Sequence, residues 1–225
     1  VNQSLSVNPN RWHSTVLLTM TVATSLLAAV MVHLGNASWL EAASFVTGAV
    51  AVWLTVRENV WNFPIGMVNV ATFSVVFAQA GLYGDAGLQG VYFVLLALGW
   101  YWWLHGGQQH TQLRITRTTR PELATLAASG VFLTLGLWAG LRYVGGSASF
   151  WDALTTGFSL VAQWMMSRKR LECWLGWIFV NVIYVPLYVS KGLYLTAVLY
   201  AVFLVMAVMG YRQWRQTWKA PTITQ

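Results

Sequence analysis

Long apolar runs along the chain are separated by short clusters that hold nearly all of its charge. Each run approaches the roughly 20 residues that an α-helix needs to cross the hydrocarbon core of a bilayer. The pattern predicts eight spans, near 14–33, 39–57, 60–80, 85–104, 121–141, 150–167, 171–190 and 194–212. The residue-by-residue alternation of a membrane β-barrel is absent. Pro64 and Pro121 fall in the first turn of their spans, where a missing N–H costs little. Pro186 falls inside the seventh span, removes the helical bond to the Val182 carbonyl, and marks a kink and a candidate hinge.

Composition agrees with this pattern, since 57% apolar against 8% charged residues exceeds what a soluble core of this length requires. A formal charge of +7 would suggest nucleic acid in a soluble protein, but its distribution points elsewhere. With eight spans, eleven of the thirteen Lys and Arg residues fall on one side, including Arg57, the Arg114–Arg120 loop, the Arg168–Arg170 loop and Arg212. Only Arg142 and Lys191 fall on the other. By the positive-inside rule the basic side and both termini are cytoplasmic, and no basic stripe interleaved with aromatics remains to bind nucleic acid. The first span lacks a small-residue cleavage site and reads as a retained helix rather than a signal peptide.

Enzyme chemistry finds little support. The single Cys173 excludes an intramolecular disulfide and any multi-cysteine metal site. There is no HExxH, GxSxG or CxxC motif, and His13, His33, His105 and His110 lie at span ends or in loops, so neither metal nor cofactor is expected. Lys191 could suggest a retinal Schiff base, but its place at a span end favours an interfacial lysine. The acids Glu41, Asp85 and Asp152 lie near the outer span ends, which leaves an ion-coupled relay through the midplane without a candidate.

An offset of 111 positions pairs Trp53 with Trp164 and Arg57 with Arg168, and aligns GLYGDAGLQGVYFVLLALGWYWW with GLYLTAVLYAVFLVMAVMGYRQW. Within that run Gly81, Leu82, Tyr83, Ala86, Leu88, Val91, Val94, Gly99 and Trp103 meet identical residues. Two triplets of spans, 39–104 and 150–214, therefore form a repeat. The region 105–149, a loop, a linker span and a second loop, makes the triplets parallel by adding one crossing. Residues 1–38 add an accessory span outside the core, and 215–225 form a cytoplasmic tail. The expected fold is an all-α integral membrane protein of eight transmembrane helices, one accessory helix plus a three-one-three core. Parallel repeats of this kind bind substrate near the midplane between the halves.

In the stretch WLGWIFVNVIYVPLYVSKGLY, Trp174, Trp177, Asn181, Tyr184 and Tyr188 share one helical stripe, with Asn181 near mid-bilayer. The third span offers Asn62, Gly66, Asn69 and Phe73, the fourth Asp85, Gln89, Tyr92 and Gly99, and the sixth Asp152, Thr156, Ser159 and Gln163. Polar side chains on membrane helices commonly bond helix to helix, and Trp at span ends commonly forms an interfacial belt. The belt reading is assigned to Trp12, Trp39, Trp102, Trp103, Trp214 and Trp218. It accounts less well for Trp177, Asn181, Tyr184 and Gln89 together, because packing alone favours small residues. A cavity they lined would have no fixed cation to neutralise a phosphate or carboxylate. Its ligand would be uncharged or cationic, partly flat and rich in hydrogen-bonding groups, as a nucleoside-like molecule is.

The segments ECWLGWIFVNVIYVPLYVSKGLYLTAVLY, NVWNFPIGMVN and GDAGLQGVYFVLLALGWYWW resemble the bacterial PnuC nicotinamide riboside transporters over residues 39–214. The resemblance implies a SWEET-like fold in the bacterial inner membrane and facilitated diffusion of nicotinamide riboside. It also implies trapping by a cytoplasmic riboside kinase, and a homotrimer. It assigns substrate to Trp177, Asn181, Tyr184, Tyr188, Gln89 and Tyr92, with Gln163, Asn69, Asn62, Trp61 and Tyr200 as further candidates and Trp174 as a gate or belt residue. A carrier of another vitamin or a sugar, such as thiamine, and a membrane receptor or assembly subunit that binds without transporting are the competing readings.

Overall fold

The computed structural model describes residues 9–35, 38–79, 83–143, 150–190 and 194–220. Within them the chain folds into eight α-helices: α1 (Pro9–His33), α2 (Trp39–Val56), α3 (Asn62–Gln79), α4 (Tyr83–His105), α5 (Arg120–Tyr143), α6 (Phe150–Ser167), α7 (Cys173–Ser190) and α8 (Tyr194–Lys219). Lys191 and the side chains of Trp12, Glu41 and Asp85 lie outside the described residues. Four segments are long and apolar enough by themselves to cross a membrane: Ala86–His105, Arg120–Tyr143, Cys173–Ser190 and Ala197–Lys219. Polar residues dilute α3 and α6, and Asn62, Asn69, Thr156, Ser159 and Gln163 among them line a cavity.

Helices pack α2 on α3, α3 on α4, α6 on α7 and α7 on α8, while α2 also meets α8 and α4 meets α6. The first helix of each triplet therefore abuts the last helix of the other. Outside this group α1 packs mainly on α2, and α5 packs on α6.

Local structure recurs at the 111-residue offset. At the end of α2, Glu58 N–H bonds Thr55 O and Asn59 N–H bonds Leu54 O; at the end of α6, Lys169 N–H bonds Met166 O and Arg170 N–H bonds Met165 O. Both are Schellman turns, which place one residue in the left-handed region. Glu58 and Lys169 occupy it, with φ of 55° and 54°, at a cost of about 1 kcal/mol each relative to glycine. The two turns meet through a Glu58–Lys169 ion pair of 2.9 Å. They therefore lie at the same end of the molecule.

The same end carries a reciprocal pair of bonds. Trp103 Nε1 donates to Met166 O and Trp214 Nε1 donates to Thr55 O, both at 3.1 Å, and each residue is the 111-offset counterpart of its opposite number. Phe63 packs edge-on against Trp103 at 5.0 Å, Trp174 packs edge-on against Trp214 at 5.4 Å, and the two inner indoles lie 5.7 Å apart. This corrects the belt reading of Trp103 and Trp214, which are 3% and 0% exposed. Their indoles turn inward because each N–H finds a carbonyl at the end of the opposite triplet's first helix that accepts it as a second bond beside the one from its own turn. Trp39 and Trp218 are exposed, as a belt allows.

Residues 106–119 cross this basic end as a strap. Leu113 N–H bonds Trp103 O, and Thr116 exchanges backbone bonds with Lys169 and Leu171. Ile115 is buried beneath it. Arg117 and the Thr118 N–H hold the Glu172 carboxylate at 3.0 and 2.8 Å, and Arg170 pairs with Glu122 at 2.8 Å. Thr119 then accepts from the Glu122 N–H and starts α5 as an N-cap.

Two predictions follow from this end of the molecule. A Cβ at Gly210 would lie 2.6 Å from the Trp174 ring, and one at Gly99 2.6 Å from Phe63, whereas Gly140 faces open space. Thermal unfolding in detergent should show Gly210→Ala and Gly99→Ala destabilised by about 1–3 kcal/mol, with Gly140→Ala unchanged or slightly stabilised. Burial disfavours the Glu172 charge, but its bonds to Thr118 and Arg117 outweigh burial and hold its pKa below the usual carboxylate value. A depressed folded pKa stabilises the fold above the unfolded value, and that contribution is lost as pH falls through the folded one. Stability should therefore decline below about pH 4.3, and Glu172→Gln should flatten that decline. An identical acid profile in the variant would show that the strap does not depend on this charge.

Candidate functional site

Between the triplets lies a cavity of about 400 Å³. All its walls come from α2, α3, α4, α6, α7 and α8. It follows α7 from Trp174 to Tyr188, a length of about 21 Å at 1.5 Å per residue.

Residues spaced by three or four along α7 present one face to the cavity: Trp174, Trp177, Asn181, Tyr184 and Tyr188. The indole N–H groups of Trp174 and Trp177 are buried without a hydrogen-bond partner. Asn181 is 4% exposed, and its Nδ2 donates to Trp177 O at 2.8 Å. That bond satisfies one amide proton within the helix and turns the acceptor Oδ1 into a separate resource. Toward the end opposite the strap, Tyr184, Tyr188 and Tyr200 cluster with ring centroids 4.6, 5.0 and 5.5 Å apart. Their rings wall the cavity with π faces.

The other helices contribute amides and hydroxyls. Gln163 of α6 is 7% exposed and Gln89 of α4 half-buried; both line the cavity. Tyr92 shares a 2.5 Å hydrogen bond with Ser159, whose Oγ also donates to Thr156 O. Asn69 and Asn62 line the cavity too, yet their Nδ2 groups hold the protein together. Asn69 donates to Ser44 O and Thr47 Oγ1, and Asn62 donates to Asn59 O in the turn before its helix. Gly48 and Gly66 also line the cavity, packed beneath Asn69 and Leu96 respectively.

Trp61 is placed differently from the expectation. It lies in the turn before α3, is 64% exposed and is absent from the cavity lining. The Asn59 side chain accepts its N–H, forming a turn that points the indole away. Pro186 lies within α7 but off the lining. The sequence pattern alone did not single out Phe77, Leu88, Val180 or Phe203, which complete the apolar wall. Their signal was confined to helical spacing from polar neighbours, which lipid-facing residues share.

Among the described residues no Lys, Arg, His, Asp or Glu lines the cavity. Among the described residues no group of three or more His, Cys, Asp or Glu is placed to hold a metal ion.

Residues 38–216 match the family described as nicotinamide mononucleotide transporter. The chain belongs to this family. It is 30% identical over 203 residues to the nicotinamide riboside transporter PnuC of Escherichia coli, an alignment covering 79% of this chain and 85% of that one. It is 27% identical over 195 residues to the PnuC of Neisseria mucosa, covering 79% and 72%. The riboflavin/roseoflavin transporter RibM of Streptomyces davaonensis is 22% identical over 183 residues, covering 78% and 84%. A crystal structure of the vitamin B3 transporter PnuC has the same fold, with a TM-score of 0.73 at 25% identity over 92% of this chain and 91% of that one. The family is one of membrane transporters rather than enzymes, and this member is a multi-pass membrane protein.

Proposed function

We propose that this family member carries nicotinamide riboside by facilitated diffusion, as a uniporter whose cavity opens alternately to the two sides of a bacterial inner membrane. The relatives named for nicotinamide riboside support the substrate. The observation that carries the reading is a cavity with aromatic walls and, among the described residues, no charged lining. Nicotinamide riboside joins a cationic pyridinium to a carboxamide and ribose hydroxyls. A cationic ring over an indole or phenol face gains about 0.5–2 kcal/mol once desolvated, which suits Trp177 and the tyrosines. The unpartnered indole N–H groups suit hydroxyl or carboxamide oxygens, and Asn181, Gln89 and Gln163 suit the remaining donors and acceptors.

The family description names the mononucleotide, and the cavity argues against it for this chain. A phosphate brings up to two negative charges, and burying a charge without a partner costs several kcal/mol. Among the described residues no guanidinium or ammonium lines the cavity to offset that. Uptake without a coupling ion fits the same neutrality, and phosphorylation by a cytoplasmic riboside kinase would then make entry irreversible. The strap end, with its Arg and Lys residues and both termini, is assigned to the cytoplasm. Exposed Val, Leu and Phe side chains on α4 and α5 suit lipid and the neighbouring copies of a homotrimer, which the mass of the purified protein–detergent particle checks. Pro186 is assigned the hinge of α7, since the Val182 carbonyl it leaves unbonded lets the helix bend beyond Asn181.

Tryptophan quenching should show saturable binding of nicotinamide riboside and at least roughly tenfold weaker binding of its 5′-phosphate. Preference for the phosphate would overturn the charge argument, and stronger binding of riboflavin or thiamine would reassign the substrate. Proteoliposomes should accumulate labelled riboside without an ion gradient; binding without accumulation would indicate a receptor. Asn181→Ala and Trp177→Ala should each weaken binding roughly tenfold, with Trp61→Ala unchanged. Undiminished turnover in Pro186→Ala would remove the hinge.

A further inference from the structure

The cavity is closed at the strap end. Its lining there, Asn62, Met166 and Trp174, is buried, while Phe77, Gln89 and Tyr188 at the opposite end are half-buried. Beneath the closed end lie Trp103, Trp214, Ile115 and Leu171, all buried. A ligand leaving that way must part this layer.

The bonds that hold the layer shut join one triplet to the other. Trp103 reaches Met166, Trp214 reaches Thr55, and Glu58 reaches Lys169. The last pair stands out for its backbone. Glu58 and Lys169 both sit at left-handed positions that glycine fills without strain. Their side chains are the evident reason that neither is glycine. Lys169, 8% exposed, places Nζ 2.9 Å from Glu58, 3.1 Å from the Leu113 carbonyl and 4.6 Å from the centre of the Trp103 ring. One ammonium thus ties together the α2–α3 turn, the strap and α4.

The geometry points to Glu58 and Lys169, with the strap over 106–119, as the latch of the gate on the basic side; this rests on the alternating-access reading above. Opening separates the two turns, breaks the ion pair and frees both indole N–H groups from their carbonyls. Both charges then reach water at the membrane surface, where each is hydrated. An ionic latch therefore costs less to open than an apolar plug of equal size, because hydration replaces the lost pairing. Arg117–Glu172 and Arg170–Glu122 fasten the strap to the α6–α7 turn, so the strap moves with the second triplet and leaves Glu58 behind.

Cys173 supplies the readout. It is the chain's single cysteine, opens α7 and is 0% exposed directly under the latch. A membrane-impermeant maleimide applied to the basic face of vesicles should label the unaltered protein slowly. Glu58→Gln and Lys169→Gln should each raise the rate at least roughly tenfold, the population shift of a closed state that has lost its pairing. The double variant should label no faster than the faster single one, since both remove the same interaction. Retained tryptophan quenching by nicotinamide riboside would show that the site remains folded. Unchanged rates, independent multiplication in the double variant, or equal acceleration from the opposite face would each overturn the latch. No riboside takes part in labelling: unchanged labelling with normal uptake would sink the latch alone, and faster labelling without uptake would sink the transport reading alone.

Discussion

The structure depends on the exchange of two indole hydrogen bonds between the triplets. A membrane interior supplies no water to satisfy the last carbonyls of a helix, so each must find a donor within the protein. Thr55 and Met166 each accept one bond from the turn that closes their own helix, from Glu58 and Lys169 N–H, and a second from Trp214 and Trp103 of the opposite half. Each indole also needs a close approach between helices. Gly99 and Gly210 permit it, since a methyl group at either would collide with the ring of Phe63 or Trp174. The four rings and two carbonyls form a closed set: loss of one member exposes the polar group of another.

Drawing the halves together at one end leaves room between them further along. The space is lined by residues that would be costly against lipid, and about half of their polar capacity is already used. Asn69 and Asn62 spend their Nδ2 groups on neighbouring backbone, Tyr92 and Ser159 satisfy one another, and Asn181 bonds its own helix. What is left over is specific: two indole donors and the glutamine amides, beside the rings of a tyrosine cluster. A neutral cavity with these leftovers favours a flat, hydroxyl-bearing guest and disfavours an anion. The distinction between riboside and mononucleotide therefore rests on a missing lysine or arginine as much as on any residue present.

Much of this was legible in the letters. Eight apolar runs correspond to eight helices, and the α7 stripe lines one cavity because helical spacing and the cost of burying amides in lipid are local properties. The repeat announced that Trp103 and Trp214 are equivalent, yet their position at span ends suggested an interfacial belt. Which way an indole turns depends on whether a carbonyl from another helix stands within reach, and no local pattern records that. Trp61 failed similarly: it precedes a helix whose stripe enters the cavity, but the Asn59 turn points it outward.

Sequence by itself determined the membrane class, the span boundaries, the side bearing the basic residues, and the absence of a mid-membrane cation, since each follows from composition and spacing along one chain. Tertiary structure decided the pairing of Glu58 with Lys169, the docking of the strap across the basic end, and which amide atoms remain for a guest. The Glu58–Lys169 and Arg170–Glu122 pairs join residues 111 and 48 positions apart, and their energy comes from geometry between segments, which exists only after the chain has folded.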